Sequence, residues 1–414
     1  MGHEPPPSYA QMRLAITAEL SELEAQGRLR KRPVIDSPNG RVLVLRQPGG
    51  RRKLHNWASN DYLGAANRLR VKNAAARALR SFGAGAGAAR LLSGGLSCHR
   101  RLEERIAHWL AAPDALVTTS GFQANLSVLV SLASGPEDVI ILDRLCHAST
   151  YDGAHLAAGT MLRFQHNDLA DLDKQLRRTS GAHRRLVCVE SVYSMDGDEA
   201  PLVGISALCR EHGALLLVDE AHAIGVIGPG GRGGCAELGV QADLRIGTCS
   251  KSLGSQGGFI AGDRELIELV VNRGRSFIFS TAPVPAAMGA AIESLDLLRE
   301  EPELPERLRR EAGEVRSALR SQGWQVPEGR SAIIPIIVGS EQPALELSAL
   351  LLAHGHFAPA IRPPTVPPGG CRLRLSITLA HRPSDRLRLI KVMAAARSRW
   401  RDEAAAPGPA GPGA

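Results

Sequence analysis

Lys251 is the residue whose type and setting most clearly indicate chemistry. It lies among small and hydroxyl-bearing residues, directly after an apolar run at 244–248 that predicts a buried strand. Burial lowers the pKa of a lysine from about 10.4, and the free amine can then form a Schiff base with a carbonyl compound. The alternative is a structural lysine whose amine reaches solvent along the surface, and this residue alone does not decide between the two.

A carboxylate and an imidazole follow another apolar run. Residues 214–218 predict a strand, Asp219 follows it directly, and His222 comes three residues later. An aspartate at a buried strand end needs a cationic partner to stay ionised, and the protonated ring nitrogen of a cofactor would be one. The letters Asp-Glu-Ala-His also occur in nucleotide-hydrolysing helicases. We exclude that function because the sequence has no Gly-x-x-x-x-Gly-Lys-Ser/Thr loop upstream.

Three more predicted strands are followed by residues that are polar or that begin a predicted helix. Gly121 and Phe122 begin a predicted helix after one strand, and the free N–H groups of a helix start suit a phosphate. His147 follows a second strand, and Ser194 follows a third. Each signal is weak alone, because many helices begin with Ser-Gly and a lone histidine is more often structural. Together they indicate several polar groups at one edge of a sheet.

These candidate residues need a framework that brings strand ends together. Between about residues 67 and 300, apolar runs alternate with amphipathic segments of helix length, and they predict strands at 115–119, 139–142, 161–164, 186–189, 214–218, 244–248 and 258–261. Most runs are apolar throughout, which is typical of a mainly parallel sheet with helices on both faces. The predicted fold is a doubly wound α/β domain, in which ligands bind beyond the carboxyl ends of the strands.

The regular alternation of predicted strands and helices ends near residue 300. We predict helices at 9–26, 306–322, 343–354 and 384–400, and strands at 42–45, 333–338 and 373–377. Residues 56–300 would form the large α/β domain, while 1–55 and 301–403 would form a smaller α+β domain. Residues 404–414 are only Ala, Pro and Gly, so we expect a disordered tail there.

The composition excludes several classes of protein. With 414 residues, 44% hydrophobic and 22% charged, the chain is typical of a soluble globular protein of two or three domains. The formal net charge of +8 is weak evidence for nucleic acid, and no apolar run reaches the roughly 18 residues of a membrane span. We therefore expect a cytoplasmic protein that binds neither nucleic acid nor membranes.

Three other features have an ordinary structural interpretation. The basic clusters at 28–32 and 51–53 could attract a polyphosphate or an acidic protein, but a solvated surface explains them more simply. The seven cysteines include no C-x-x-C pair and no metal-ligand spacing, so we expect reduced thiols and no metal. The glycine-rich loop at 83–87 follows a predicted helix rather than a strand, which argues against a nicotinamide cofactor.

The whole set of motifs resembles the α-oxoamine synthases, pyridoxal-phosphate enzymes of aspartate-aminotransferase-like fold (fold type I). They condense an amino acid with an acyl thioester and release CO2. The motifs that carry the resemblance are 59–64, 83–95 with His99, 120–125, 143–149, 194–198, 219–222, Thr248 with Lys251, and 372–375. The segment 361–367 is similar to the biotin-pathway members, which use L-alanine and a pimeloyl thioester of coenzyme A or acyl carrier protein.

The resemblance implies a role for each residue near the cofactor, pyridoxal phosphate. Lys251 would bind it as a Schiff base and later move the α-proton of alanine, and Asp219 would keep its pyridine nitrogen protonated. His147 would stack on the ring, while Ser194 and His222 would hydrogen-bond the phenolic oxygen. The phosphate would be held by the N–H groups of Gly121 and Phe122 and the hydroxyl of Thr248.

The resemblance also implies how substrates bind. Arg374, supported by Asn60, would hold the alanine carboxylate in bidentate fashion, and Arg30 with Thr365 would contact the acyl substrate. The site of such enzymes lies between two copies of the chain, so we expect a homodimer. Two alternatives stay open: a family member that uses glycine, and a non-catalytic ligand-sensing domain of the same fold, which would not require the lysine, the strand-end aspartate and Arg374 together.

Overall fold

The structure, a computed structural model, describes residues 8–26, 28–30 and 32–405. Its strands are β1 (Val34–Ile35), β2 (Val42–Gln47), β3 (Gly50–Asn56), β4 (Asp114–Thr118), β5 (Val139–Asp143), β6 (Thr160–Phe164), β7 (Arg185–Glu190), β8 (Leu215–Asp219), β9 (Leu244–Thr248), β10 (Gly258–Gly262), β11 (Ile333–Gly339), β12 (His356–Phe357), β13 (Ala360–Ile361) and β14 (Cys371–Ser376). Its α-helices are α1 (Tyr9–Ala25), α2 (Leu69–Phe82), α3 (Ser97–Leu110), α4 (Gly121–Leu132), α5 (Ala148–Leu156), α6 (Leu169–Arg178), α7 (Leu202–His212), α8 (Gly234–Leu238), α9 (Arg264–Arg273), α10 (Arg275–Ile278), α11 (Pro285–Glu300), α12 (Leu304–Ser321), α13 (Glu341–Ala353) and α14 (Pro383–Ala405).

A seven-stranded sheet in the order β4-β10-β9-β8-β7-β5-β6 forms the centre of the chain. Neighbouring strands in the run β6-β5-β7-β8-β9 pair in parallel. β10 is antiparallel to both of its neighbours. All seven strands predicted from apolar runs are present, each within one residue of the predicted bounds. The mainly parallel sheet of the predicted fold is confirmed.

Both faces of this sheet are buried, as its apolar runs predict. Successive residues of β7 belong to different cores: Leu186 and Cys188 pack with residues of α4 and α9, whereas Val187 and Val189 pack with residues of α6 and α7. Side chains alternate across a strand, so a strand covered on both sides must be apolar at every position. This burial fixes the strand ends, and with them the polar residues that follow.

The carboxyl ends of β7, β8 and β9 meet at one edge of the sheet. Glu190, the last residue of β7, pairs with Asp219, the last residue of β8, and Asp219 pairs in turn with Ile246 of β9. The start of α4 reaches the same edge because residue 258 of β10 is a glycine. A side chain there would lie 2.4 Å from the backbone nitrogen of Gly121.

Two smaller sheets flank the large one. β1, β2, β3 and β12 form one of them, in which β12 from the C-terminal part pairs in parallel with β3 from the N-terminal part. The other has the order β11-β14-β13 and carries the predicted carboxylate-binding arginine on β14. The division of the chain into domains at residues 55, 300 and 403 stays a prediction.

Several local predictions differ from the structure. The sequence predicts neither the short strands β1, β12 and β13 nor β3, whose residues are largely polar and exposed. The tail prediction is wrong at residues 404 and 405, where α14 continues, and residues 406–414 lie outside the described part of the chain. One member of the first basic cluster, Lys31, also lies outside it.

The basic clusters form ion pairs at the surface, and the cysteines lie in the core. In the basic clusters, Arg28 pairs with Glu341 at 3.1 Å and Arg51 pairs with Asp36 at 2.8 Å. All seven cysteines are buried and free. Across the described residues, no helix combines the length and the apolar character that crossing a membrane requires.

Candidate active site

Lys251 lies in the turn after β9, half-buried at the edge where the parallel strands end. Burial lowers the pKa of its amine to about 8, and the charge of Arg374 acts in the same direction. The carboxylates of Asp219 and Glu190 oppose that shift. The predicted lysine and strand-end aspartate therefore share one electrostatic environment, in which the amine loses its proton more readily than an ordinary lysine.

The carboxylate of Asp219 is fixed by two donors. Asn125 donates its side-chain N–H to Oδ2 at 2.9 Å, and the backbone N–H of Ala221 donates to Oδ1 at 2.9 Å. Asn125 lies one turn into α4 and also donates to the hydroxyl of Ser149 at 3.0 Å. The aspartate is thus held by the helix whose start was predicted to bind phosphate.

A second carboxyl group, that of Glu190, lies beside Asp219 at the end of the neighbouring strand. Burial, together with the charge of Asp219, raises the pKa of Glu190 well above its ordinary range. Its Oε1 is buried and has no hydrogen-bond partner among the described residues. Two adjacent carboxyl groups in a buried site do not both ionise readily, so Glu190 holds its proton more tightly than an ordinary glutamate.

His222 is buried and is held by a residue that the sequence did not single out, Tyr62. The Tyr62 hydroxyl lies 2.7 Å from Nδ1 of His222 and accepts an N–H from Arg374 at 3.2 Å. Burial and the positive charges of Lys251 and Arg374 lower the pKa of His222 well below its ordinary range, so the ring is neutral. The hydroxyl also donates to Oδ1 of Asn60 at 3.2 Å, so Tyr62 joins three side chains of the site, those of Asn60, His222 and Arg374.

Arg374 is almost saturated with acceptors. Nε donates to the carbonyl of Ser194 at 2.5 Å, and Nη1 donates to Asn60 Oδ1 at 3.2 Å and to Ser376 Oγ at 3.0 Å. With the bond to Tyr62, four of its five N–H groups have partners. The predicted partnership with Asn60 is present, whereas a bidentate carboxylate contact would require one of these bonds to open. Ser194 contributes through its backbone rather than its side chain.

The start of α4 has the character of an anion site. The Ser120 hydroxyl caps the helix by accepting the N–H of Gln123 at 3.1 Å. Among the described residues, the N–H groups of Gly121 and Phe122 have no acceptor. A methyl group at position 121 would lie 3.6 Å from Cβ of Thr248, so the predicted phosphate ligands are adjacent. The Thr248 hydroxyl here donates to the carbonyl of Gly257 at 2.8 Å.

His147 lies at the start of α5 and faces the same edge. Its Nδ1 accepts the backbone N–H of Ser149 at 3.2 Å, so the neutral ring carries its proton on Nε2. The ring meets Phe122 edge-on, with centroids 6.3 Å apart. Desolvation lowers the pKa of His147, Asp219 opposes that shift, and the charge of Lys251 adds to it. The imidazole is therefore close to both groups.

Arg30 and Thr365 meet although 335 residues separate them in the sequence. The guanidinium donates to the threonine hydroxyl at 3.1 Å, and both residues are exposed. Among the described residues, no hydrogen bond or ion pair joins this pair to Lys251 or to Arg374. The two predicted acyl contacts thus form a separate, outer part of the site.

The site includes residues for which sequence reasoning gave no role. Tyr62 lies within the motif at 59–64, and Asn125 lies four residues after Gly121, so both signals were available as spacing. Glu190 ends an apolar run just as Asp219 does. Ser376 lies two residues after Arg374 in the predicted strand 373–377, so its place on the same face was also available as spacing.

Residues 52–392 of the chain match the family Aminotransferase class I and II. The 8-amino-7-oxononanoate synthase of Geobacter sulfurreducens is 42% identical over 92% of this chain and 98% of its own. The enzyme of the same name from Anaeromyxobacter dehalogenans is 45% identical over 88% of this chain and 91% of its own. A solved structure of serine palmitoyltransferase from S. paucimobilis, with a bound pyridoxal phosphate–myriocin aldimine, is 31% identical, covers 96% of this chain and 100% of its own, and gives a TM-score of 0.88.

Proposed function

The chain belongs to the aminotransferase class I and II family, and from that premise we propose that it is a pyridoxal-phosphate-dependent acyltransferase of biotin biosynthesis. It condenses L-alanine with a pimeloyl thioester and releases 8-amino-7-oxononanoate, CO2 and the free thiol carrier. The observation that carries this proposal is the amine of Lys251, whose pKa is lowered to about 8 at the edge of the sheet where Asp219 ends β8. The relatives named 8-amino-7-oxononanoate synthase, which match the chain over most of its length, support the choice of substrates.

The donor set fits the groups of pyridoxal phosphate. A deprotonated lysine amine suits its aldehyde, a buried aspartate suits its ring nitrogen, and free N–H groups at a helix start suit its phosphate. The residues that would hold it are Lys251, Asp219, His147, Ser194, His222, Gly121, Phe122 and Thr248. When bound, the cofactor supplies an electron sink for the α-carbon of the amino acid.

The chain's own residues then position and protonate the substrate. Arg374, steadied by Asn60 and by the Ser194 carbonyl, binds the alanine carboxylate once one of its four hydrogen bonds opens. Lys251 removes the α-proton of alanine with its free amine and carries it as an ammonium group. The α-carbon forms a bond to the thioester carbonyl carbon, the C–S bond breaks, and the departing thiolate takes a proton from solvent. After the carboxyl group departs as CO2, the ammonium group returns the proton to the α-carbon.

The neutral imidazoles of His147 and His222 assist without exchanging protons with the substrate. His222, whose Nδ1 contacts the Tyr62 hydroxyl, would lie beside the phenolic oxygen of the cofactor. The pKa of His222 lies well below its ordinary range, so its ring carries no charge at neutral pH. Burial and the charge of Asp219 raise the pKa of the neighbouring Glu190.

The acyl donor approaches from the outer part of the site. We propose that Arg30 and Thr365 contact the pimeloyl thioester, whether coenzyme A or acyl carrier protein carries it. We also propose that the enzyme works as a homodimer in the cytoplasm.

A thiol-release assay across amino acids and acyl thioesters tests the proposed function. We expect alanine with a pimeloyl thioester to release thiol fastest. Release with glycine and an acetyl or succinyl thioester, but not with alanine and a pimeloyl thioester, would instead indicate the glycine-using member of the family. Cofactor absorption without thiol release for any pair would indicate the ligand-sensing domain.

A further inference from the structure

His166, just beyond β6, lies between two carboxylates. Its Nδ1 is 3.0 Å from Oδ1 of Asp143, and its Nε2 is 2.8 Å from Oδ2 of Asp198. A neutral imidazole has one N–H, and ionised carboxylates only accept, so both contacts are hydrogen bonds only when the ring is an imidazolium. The two carboxylates outweigh burial and raise the pKa of His166 to about 9. The ring edge-packs against Tyr193, with centroids 4.4 Å apart.

The two carboxylates belong to different parts of the fold. Asp143 is fully buried at the end of β5 and accepts the backbone N–H groups of Leu145 at 2.8 Å and Asn167 at 2.9 Å. It is therefore fixed to the large sheet. Asp198 ends a loop of residues 194–198, here called the arginine loop, which lies between β7 and α7. Asn167 donates a second hydrogen bond to Asp198 at 3.0 Å.

The arginine loop holds two side chains of β14. The carbonyl of Ser194 accepts from Arg374, and the carbonyl of Met195 accepts from Arg372 at 3.2 Å. Arg372 also forms an ion pair with the carboxylate of Asp196. Both arginines are buried, so their donors depend on these acceptors. The loop therefore supplies one of the acceptors that fix the carboxylate-binding guanidinium, the one on its Nε.

We propose that His166 is a positioning residue that, as an imidazolium between Asp143 and Asp198, fixes the arginine loop against the large sheet and thereby sets the affinity for the amino-acid carboxylate. This inference rests on the proposed function, because it takes Arg374 as the group that binds alanine. It adds a residue outside the cofactor set, with no contact to substrate or cofactor, whose charge state acts through the loop.

The sign of the pH dependence follows from the direction of the pKa shift. The charged groups that face the ring are Asp143 from the end of β5 and Asp198 from the arginine loop. Below pH 9 the imidazolium donates a hydrogen bond to each of these two carboxylates. Above it, the neutral ring keeps one N–H, and a lone pair faces the other carboxylate, so the loop is held less firmly. Alanine affinity is then highest below pH 9 and decreases as the pH rises through 9.

The test measures the dissociation constant of alanine from the change in cofactor absorption, with no thioester present. At pH 7.5, His166→Gln should weaken alanine binding about tenfold, equivalent to ~1.4 kcal/mol. Cofactor content should stay unchanged. The matched control is His183→Gln, whose histidine pairs with one carboxylate, Asp138, at 3.0 Å near the opposite ends of the strands; it should leave the alanine dissociation constant unchanged.

A second variant keeps the inference testable if His166→Gln does not fold. In Asp198→Asn the amide can donate to the neutral ring, so the contact persists in both protonation states. The weakening of alanine binding between pH 7.5 and 9.5 should then be smaller than in the wild type. An unchanged dissociation constant in His166→Gln, or an equal alkaline loss in Asp198→Asn, would overturn the inference. If the wild-type protein binds glycine rather than alanine, the proposed function fails, and the same variants are compared with glycine.

Discussion

The inner and outer parts of the candidate site are built in opposite ways. In the inner part, Asp219, His222 and Arg374 are each at most 8% exposed, and each is held by a hydrogen-bonded neighbour. In the outer part, Arg30 and Thr365 are exposed and joined by one hydrogen bond of 3.1 Å. The difference teaches which groups the fold holds in place: the inner groups are held in one geometry, whereas one exposed hydrogen bond leaves the outer pair freer to move.

The energetic consequence of the difference is large. Removing one partner from a buried, hydrogen-bonded charged group lowers the free energy of unfolding by roughly 3–5 kcal/mol, because the other partner is left unpaired. An exposed pair contributes roughly 0–1 kcal/mol. Substitutions in the inner part should therefore change turnover by orders of magnitude, and substitutions in the outer part should change only the affinity for the acyl donor.

Asp219→Asn should give the largest effect. The amide cannot balance a protonated ring nitrogen, so we expect kcat/KM to decrease about a thousandfold or more, equivalent to ~4 kcal/mol. The fold should tolerate the change, because Oδ1 of Asn125 has no partner among the described residues and its amide can turn to accept from the new N–H. Steady-state kinetics and a thermal melt check both points. Near-normal kcat/KM would show that the inner geometry does not depend on this charge.

The pH dependence of cofactor capture should give the next largest effect. The pKa of Lys251 in the folded chain is about 8, below its usual value, so the reactive amine increases as the pH rises towards 8. The rate at which the apoprotein captures pyridoxal phosphate should rise about tenfold per pH unit below 8 and level off above it. Stopped-flow absorption measures this rate. A rate that keeps rising to pH 10 would mean that the amine is not desolvated.

Tyr62→Phe tests whether the inner hydrogen bonds act together. Removing the hydroxyl leaves Nδ1 of His222 and one N–H of Arg374 without a partner, so kcat/KM for alanine should decrease about tenfold. The matched control is Tyr193→Phe, because that tyrosine is equally buried and, in the described part of the chain, its hydroxyl bonds neither His222 nor Arg374. Equal effects of the two variants would contradict the bridging role of Tyr62.

Arg30→Gln should have the smallest effect, limited to the acyl donor. Because the bond to Thr365 is exposed, the KM for the pimeloyl thioester should rise about threefold, while the KM for alanine stays unchanged. Thr365→Val should behave in the same way, and the double variant should be no worse than either single one. A change in the KM for alanine would mean that the two parts of the site are coupled.

Hydrophobic pattern predicted the part of the fold that positions the inner site. The strands of the large sheet are apolar on both faces, so their runs identify them without knowledge of their partners. The hydrophobic pattern did not predict β3, because this strand carries Arg51, Arg52 and Lys53 and is exposed along much of its length. β12 is two residues long and exists only because β3 lies beside it.

Long-range contacts explain what the sequence did not predict in the site. Tyr62 has a role only because β14 and the segment after β8 bring Arg374 and His222 to its hydroxyl. The type and spacing of residues could not tell that burial beside Asp219 raises the pKa of Glu190. His166 lacked a signal for the same reason, because its two carboxylates are 23 and 32 residues away in the sequence.

Borohydride reduction of the native protein, followed by peptide mass spectrometry, tests the central claim most directly. That claim is that the inner site holds pyridoxal phosphate on the amine of Lys251. The account predicts one pyridoxyl adduct, found on the peptide that contains Lys251 and absent from Lys251→Ala. No adduct, or an adduct on a different lysine of the wild-type protein, would contradict it.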